Sequence, residues 1–147
     1  MPIKPPDLPP SPDRYLGTVG LLGLLRVSMF EAFGDRKFWD EHYYDLFTTM
    51  LAKQLRGSVS TMEEMTGAMT GISHSTKIRM IEEARSAGII IAVNRSELEL
   101  DQPLETTSAR KLFFLSEGSL AAMVKCLEDM IGDIRSFSAE VDKGNPS

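Results

Sequence analysis

A single cysteine among 147 residues leaves no partner for an internal disulfide, so the fold must hold by packing, as suits a reducing compartment. The two histidines, His42 and His74, lie far apart without a neighbouring ligand cluster, and no metal site is expected from them. No apolar run reaches the roughly 18 residues that a bilayer span needs. The longest, Tyr15 to Leu25, runs directly into Arg26, and no signal-peptide pattern opens the chain. A soluble, cytoplasmic protein with no membrane partner is expected. No residue pattern pairs a nucleophile with a base, and no glycine loop is spaced to cradle phosphate, so neither an enzyme nor a cofactor is expected. Basic charge is also short. Sixteen Lys+Arg against 21 Asp+Glu give a net charge of −5, whereas nucleic-acid binding normally draws on a basic surface. That balance describes the whole chain and not any one face of it.

What is present is ordinary for one soluble domain: 42% hydrophobic and 25% charged residues, in a chain long enough for one core. Met1 to Asp13 is rich in proline and reads as a loose arm (residues 1–13). Residues 14–137 read as the folded domain. Arg14 to Phe33 predicts a helix that is apolar nearly all round, with Tyr15, Leu16, Val19, Leu22, Leu25, Met29 and Phe33 in one stripe and Leu21, Leu24, Val27 and Phe30 beside it. Gly17, Gly20 and Gly23 recur at a spacing of three, which lets another helix approach closely. A chain of this size has little core to cover such a helix, so a subunit interface is expected. Lys37 to Arg56 predicts a second helix, with Trp39, Tyr43, Leu46, Phe47, Met50, Leu51 and Leu55 at helical spacing and Gly57 as its stop.

Residues 58–116 carry the most information. Ser60-Thr61-Met62-Glu63 has the form of a capping box and opens a short helix to about Met69. Gly71 marks a tight turn, Ser73 is a cap for a second short helix, and Gly88 is its stop. Two short helices joined by a glycine turn are the signature of a helix-turn-helix. The period then changes. Ile89-Ile90-Ile91-Ala92-Val93 reads as a strand, Lys111-Leu112-Phe113-Phe114-Leu115 as its partner, and the polar stretch between Arg95 and Arg110, with Pro103, as a long loop. The predicted fold class is therefore mainly α with a small two-stranded β wing: a winged helix-turn-helix with additional N- and C-terminal dimerisation helices. The closing helix spans Glu117 to Phe137, with Leu120, Met123, Val124, Leu127, Met130, Ile131 and Ile134 on one face. Ser138 to Ser147 reads as a polar tail (138–147).

Gly71-Ile-Ser-His-Ser-Thr-Lys-Ile-Arg-Met-Ile-Glu-Glu-Ala-Arg-Ser-Ala-Gly-Ile-Ile resembles the recognition helix of the multiple-antibiotic-resistance regulator (MarR) type of winged-helix transcription factor, with its glycine exit into the first wing strand. Arg110 to Gly118 resembles the return strand and the cap of the closing helix. Trp39-Asp40 and Thr76-Lys77-Ile78-Arg79 are similar to a pair of motifs in a narrower bacterial subset. The resemblance covers roughly Lys37 to Phe137. It implies a homodimer through the Arg14–Phe33 and Glu117–Phe137 helices, double-stranded DNA as partner, and a small-molecule effector between the dimer helices and the DNA-binding lobe.

In such a protein the second helix enters the major groove by its N-terminal end. Ser73, His74, Ser75 and Thr76 lie there, with Lys77 and Arg79 one turn further on. Hydroxyls and amides at a helix start suit phosphate oxygens, and an arginine can grip guanine with two hydrogen bonds. The plainer alternative makes Ser73 only a cap and Arg79 only a solvated charge. Lys77 shares a face with Met80, Ile81 and Ala84 and snorkels from it. Arg95, Arg110 and Lys111 are placed to touch backbone phosphate from the wing's base. The wing itself departs from the family, because Glu97, Glu99, Asp101 and Glu105 would repel phosphate. Two functions follow: a DNA-binding transcriptional regulator, or a winged-helix protein-interaction module whose acidic wing meets a basic partner. Cys126 reads as packed or interfacial, because a redox role would need an exposed, electropositive setting. The methionines read as core, with a deformable pocket at the dimer helices as the alternative.

Overall fold

The computed structural model describes residues 6, 7, 10, 12–98 and 109–143, with backbone alone in the helical stretches 13–22 and 141–143. It is mainly helical. Among these residues, five α-helices and a two-stranded antiparallel sheet occur in the order α1 (Asp13–Ala32), α2 (Glu41–Leu55), α3 (Met62–Ala68), α4 (His74–Ser86), β1 (Ile90–Asn94), β2 (Lys111–Leu115) and α5 (Glu117–Lys143). That architecture is compatible with a winged helix. Short 3-10 turns occupy Arg36–Phe38 and Arg95–Glu97. Most of the proline arm, the side chains of Tyr15, Leu16, Val19, Leu21 and Leu22, and Glu99, Asp101 and Glu105 lie outside the described residues, while Gly17 and Gly20 fall on the helical backbone of α1.

The segment expected as one helix from Lys37 to Arg56 is two elements. Asp35 accepts a hydrogen bond from the Lys37 N–H at 3.0 Å, and Asp40 from the His42 N–H at 2.8 Å. Asp35 caps the 3-10 turn Arg36–Phe38, and Asp40 takes the His42 N–H that a continuous helix would have bonded to the Phe38 carbonyl, so the chain breaks at Trp39 and α2 starts afresh. Both interior helices that end on glycine close in the same way. Ser58 N–H reaches the Lys53 carbonyl while Gly57 N–H reaches that of Gln54; Ile89 N–H reaches Ala84 while Gly88 N–H reaches Arg85. Gly57 and Gly88, at φ 78° and 77°, supply the left-handed residue this paired closure requires. The closure also takes Ile89 out of the expected strand, so β1 begins one residue later.

The cap of α3 is displaced by one residue from the expected one. Thr61 is the cap, and it exchanges hydrogen bonds with Glu64 at 3.1 Å in both directions. Ser60 is unavailable because the carbonyl a cap lends to its helix is taken: Ser60 bridges Phe113, N–H to carbonyl both ways at 2.8 Å. The bridge lies on the side of β2 away from β1, whose register pairs Ile90 with Leu115 and Asn94 with Lys111. Next to it, Gln54 behaves like a strand residue. Its Oε1 accepts from the Leu115 N–H at 2.7 Å and its Nε2 donates to the Leu115 carbonyl at 3.3 Å. The outer edge of β2 is thus occupied by a backbone bridge and a side-chain amide.

Met29, Phe47, Met65, Ile81, Phe113 and Met123 meet in one buried core that draws on α1 to α5 and the sheet. Ser60 is buried in it, yet its hydroxyl has no hydrogen-bond partner. A buried unpaired hydroxyl is destabilising by about 1–3 kcal/mol. Ser60→Ala therefore keeps or raises the melting temperature, and a clear fall in thermal denaturation would reveal a hidden partner.

α5 runs to Lys143, past the end expected at Phe137 and through part of the expected tail. Ser116 caps it, accepting from Ser119 N–H at 3.3 Å. α1 and α5 pack together, and Cys126 Sγ donates to the Ser28 carbonyl at 3.4 Å between them. The same two helices leave Leu24, Val27, Ile131 and Ile134 between 43% and 50% exposed.

Candidate nucleic-acid interface

α4 is an amphipathic helix whose inner face, Met80, Ile81 and Ala84, is buried in the core. Its register therefore turns Ser75, Arg79, Glu82 and Ser86 outward along one stripe, with His74 exposed beside its first turn. The helix starts where Gly71, at φ 81°, turns the chain out of α3. Ser73 then caps it, its Oγ accepting from the Thr76 N–H at 3.3 Å. The Ser73 hydroxyl also lies 2.8 Å from that of Thr76 and 3.2 Å from that of Ser75. The three hydroxyls expected at phosphate are thus linked to one another at the positive end of the helix dipole. Lys77 is half-buried on the flank, as a snorkelling lysine would be, while Arg79 is exposed.

The charges around this stripe differ in how they are engaged. Glu82 takes the Arg85 guanidinium with both oxygens, at 3.0 and 3.3 Å. Glu64 pairs with Lys53 across α2 and α3. Burial alone would push the Glu64 carboxyl up, but Lys53 and the Thr61 cap together hold it below the usual carboxylate range. Glu83 accepts from the Tyr43 hydroxyl at 2.9 Å. Lys77 and Arg79 form no ion pair among the described residues. Of the acids on α4, Glu82 alone shares the outward stripe, a placement that a charge count along the sequence does not reveal.

Arg95, Arg110 and Lys111 form a second group. Lys111 opens β2 opposite Asn94, and the Arg95 N–H reaches the Arg110 carbonyl at 2.7 Å. All three are exposed, at the end of the strand pair roughly 13 Å along β1 from its start beside α4. Glu97 is exposed next to them.

Other candidates find less support. Between α1, α2 and α5 a recess lined by Met29, Phe33, Phe47 and Met123 holds about 10 Å³. That is room for about one water, not for an organic effector. Cys126 is half-buried; burial, and then Asp129, push its thiol up from the ordinary value, the reverse of what a reactive thiolate needs. Among the described residues no group of three His, Cys, Asp or Glu side chains could hold a metal, and no helix is long and apolar enough to cross a membrane. Tyr43, expected only as part of an apolar stripe, is the residue that ties α2 to α4; the signal for it was its hydroxyl, which a buried tyrosine must satisfy. Comparison with protein-family models, curated proteins and solved structures finds no match to this chain.

Proposed function

We propose that the chain is a winged helix-turn-helix DNA-binding regulator of the MarR type, acting in the cytoplasm as a homodimer with α4 of each subunit in the major groove. The observation that carries this reading is the outward stripe of α4, where an exposed Arg79 without an ion pair follows a helix start capped by Ser73. Ser75 and His74 flank it as polar contacts for phosphate or base edges, and Thr76 supports the cap. Arg95, Arg110 and Lys111 add backbone contacts from the base of the wing. The exposed apolar residues of α1 and α5 supply the dimer face. A small-molecule effector would act between these helices and the DNA-binding lobe.

The test is fluorescence polarisation of labelled duplex at low salt. Arg79→Ala weakens binding by about 1–3 kcal/mol if the arginine reads a base, and lowers the salt slope by about one if it holds a phosphate. A folded protein that binds no duplex at micromolar concentration ends the reading. The second reading, a protein-interaction module with a basic partner, is favoured by Glu82 on the same stripe and Glu97 at the wing's base. Under it, Arg79→Ala changes nothing, whereas Glu97→Lys weakens capture of a basic partner.

A further inference from the structure

Glu83 follows Arg79 by four residues on α4, the spacing at which an arginine and a carboxylate pair along a helix. The pair is not formed. Glu83 Oε2 accepts instead from the Tyr43 hydroxyl at 2.9 Å, whose proton is shared with the Met80 carbonyl at 3.1 Å. Tyr43 is 3% exposed and its ring is fixed against Phe38 and Phe47, with centroids 5.0 and 5.5 Å away. Its hydroxyl therefore cannot leave α4 without disturbing the core. Burial, and then the Glu83 carboxylate, push this hydroxyl above its ordinary pKa, so it stays a proton donor throughout the physiological range.

We propose that Tyr43 is a positioning residue: by holding the Glu83 carboxylate on the inner flank of α4, it keeps the Arg79 guanidinium unpaired and open to a polyanion. The inference rests on the DNA reading above for its purpose, but not for its geometry. Without the hydroxyl, Glu83 turns outward and competes with phosphate or base for Arg79. An exposed pair at this spacing shifts an equilibrium by about twofold.

The DNA-free readout is the Arg79 Nε–H resonance in proton–nitrogen spectra. Glu83→Gln leaves it in place in the otherwise unaltered chain and displaces it in the Tyr43→Phe background. Equal displacement in both backgrounds, or none in the second, overturns the proposal. Should Tyr43→Phe not fold, a large displacement in the first comparison still overturns the proposal, because it means the carboxylate already holds the guanidinium. The second readout is affinity for a mixed-sequence duplex at about 50 mM salt. Tyr43→Phe weakens it about twofold, Glu83→Gln restores it, and neither change matters once Arg79 is alanine. A Tyr43→Phe loss that persists in the Arg79→Ala background overturns the proposal. If the wild-type chain binds no duplex, the regulator reading falls, and the resonance comparison alone settles the role of Tyr43.

Discussion

Phe47→Ala lowers stability by about 3–5 kcal/mol, the usual cost of emptying a buried aromatic site. The ring is 1% exposed and packs at centroid distances of 4.7 Å from Phe33, 5.5 Å from Tyr43 and 6.4 Å from Phe38. These partners come from the end of α1, from α2 itself and from the turn before α2, so the truncation loosens three segments together. A domain holds together by roughly 5–15 kcal/mol in total, and the loss leaves little of it. Thermal unfolding followed by circular dichroism should show the midpoint fall by about 10 °C or more. Phe47→Leu keeps most of the volume and loses less. A fall of only a degree or two for alanine would mean that the surrounding rings close over the gap.

Ile134→Asp produces the second large effect, on assembly and not on folding. Ile134 is 43% exposed in a single chain, so an aspartate there leaves the core intact and helix content unchanged. In the proposed dimer the residue is covered twice, once from each subunit. Covering the part of each isoleucine still exposed contributes a fraction of the about 1.5–3 kcal/mol of full burial, and seating an aspartate carboxylate there costs more, so the two changes together weaken association by roughly a hundredfold or more. Sedimentation velocity should show wild-type dimer and variant monomer at the same concentration. A wild-type chain that sediments as a monomer across the accessible range removes the dimer from the proposed function.

The parts of the fold that were legible in the sequence are those that depend on near neighbours. Ser73, Gly57 and Gly88 each act on residues within one helical turn, and the structure uses all three as expected. The departures trace to partners elsewhere. Nothing between Ser58 and Glu64 reveals that Ser60 is claimed by Phe113, so the cap moved to Thr61. The break at Trp39 is local, but helical spacing of the apolar residues on both sides outweighs Asp40, the one aspartate within the stretch that caps a new helix. At the candidate site, helical period was enough to expect Arg79 outside and Met80, Ile81 and Ala84 inside. It could not show which carboxylate each cation would take, because Tyr43, from α2, decides the placement of Glu83. Exposure of Leu24, Val27, Ile131 and Ile134 likewise emerges only once α1 and α5 are seen to spend their other faces on each other and on the core.

The Ser60–Phe113 bridge has a topological consequence for the segment it encloses. α3, α4 and β1 lie on a length of chain whose two ends are fastened together, Ser60 to Phe113 by backbone and, just outside it, Gln54 to Leu115. They form a closed loop and not an appendage, so neither helix can be peeled away from an end of the chain. Fraying that starts at a chain end reaches them only after the clasp has opened, which withdraws β2 from the core at the same time. The clasp therefore couples the helix pair to the strand pair, and anything that grips α4 from outside pulls on both.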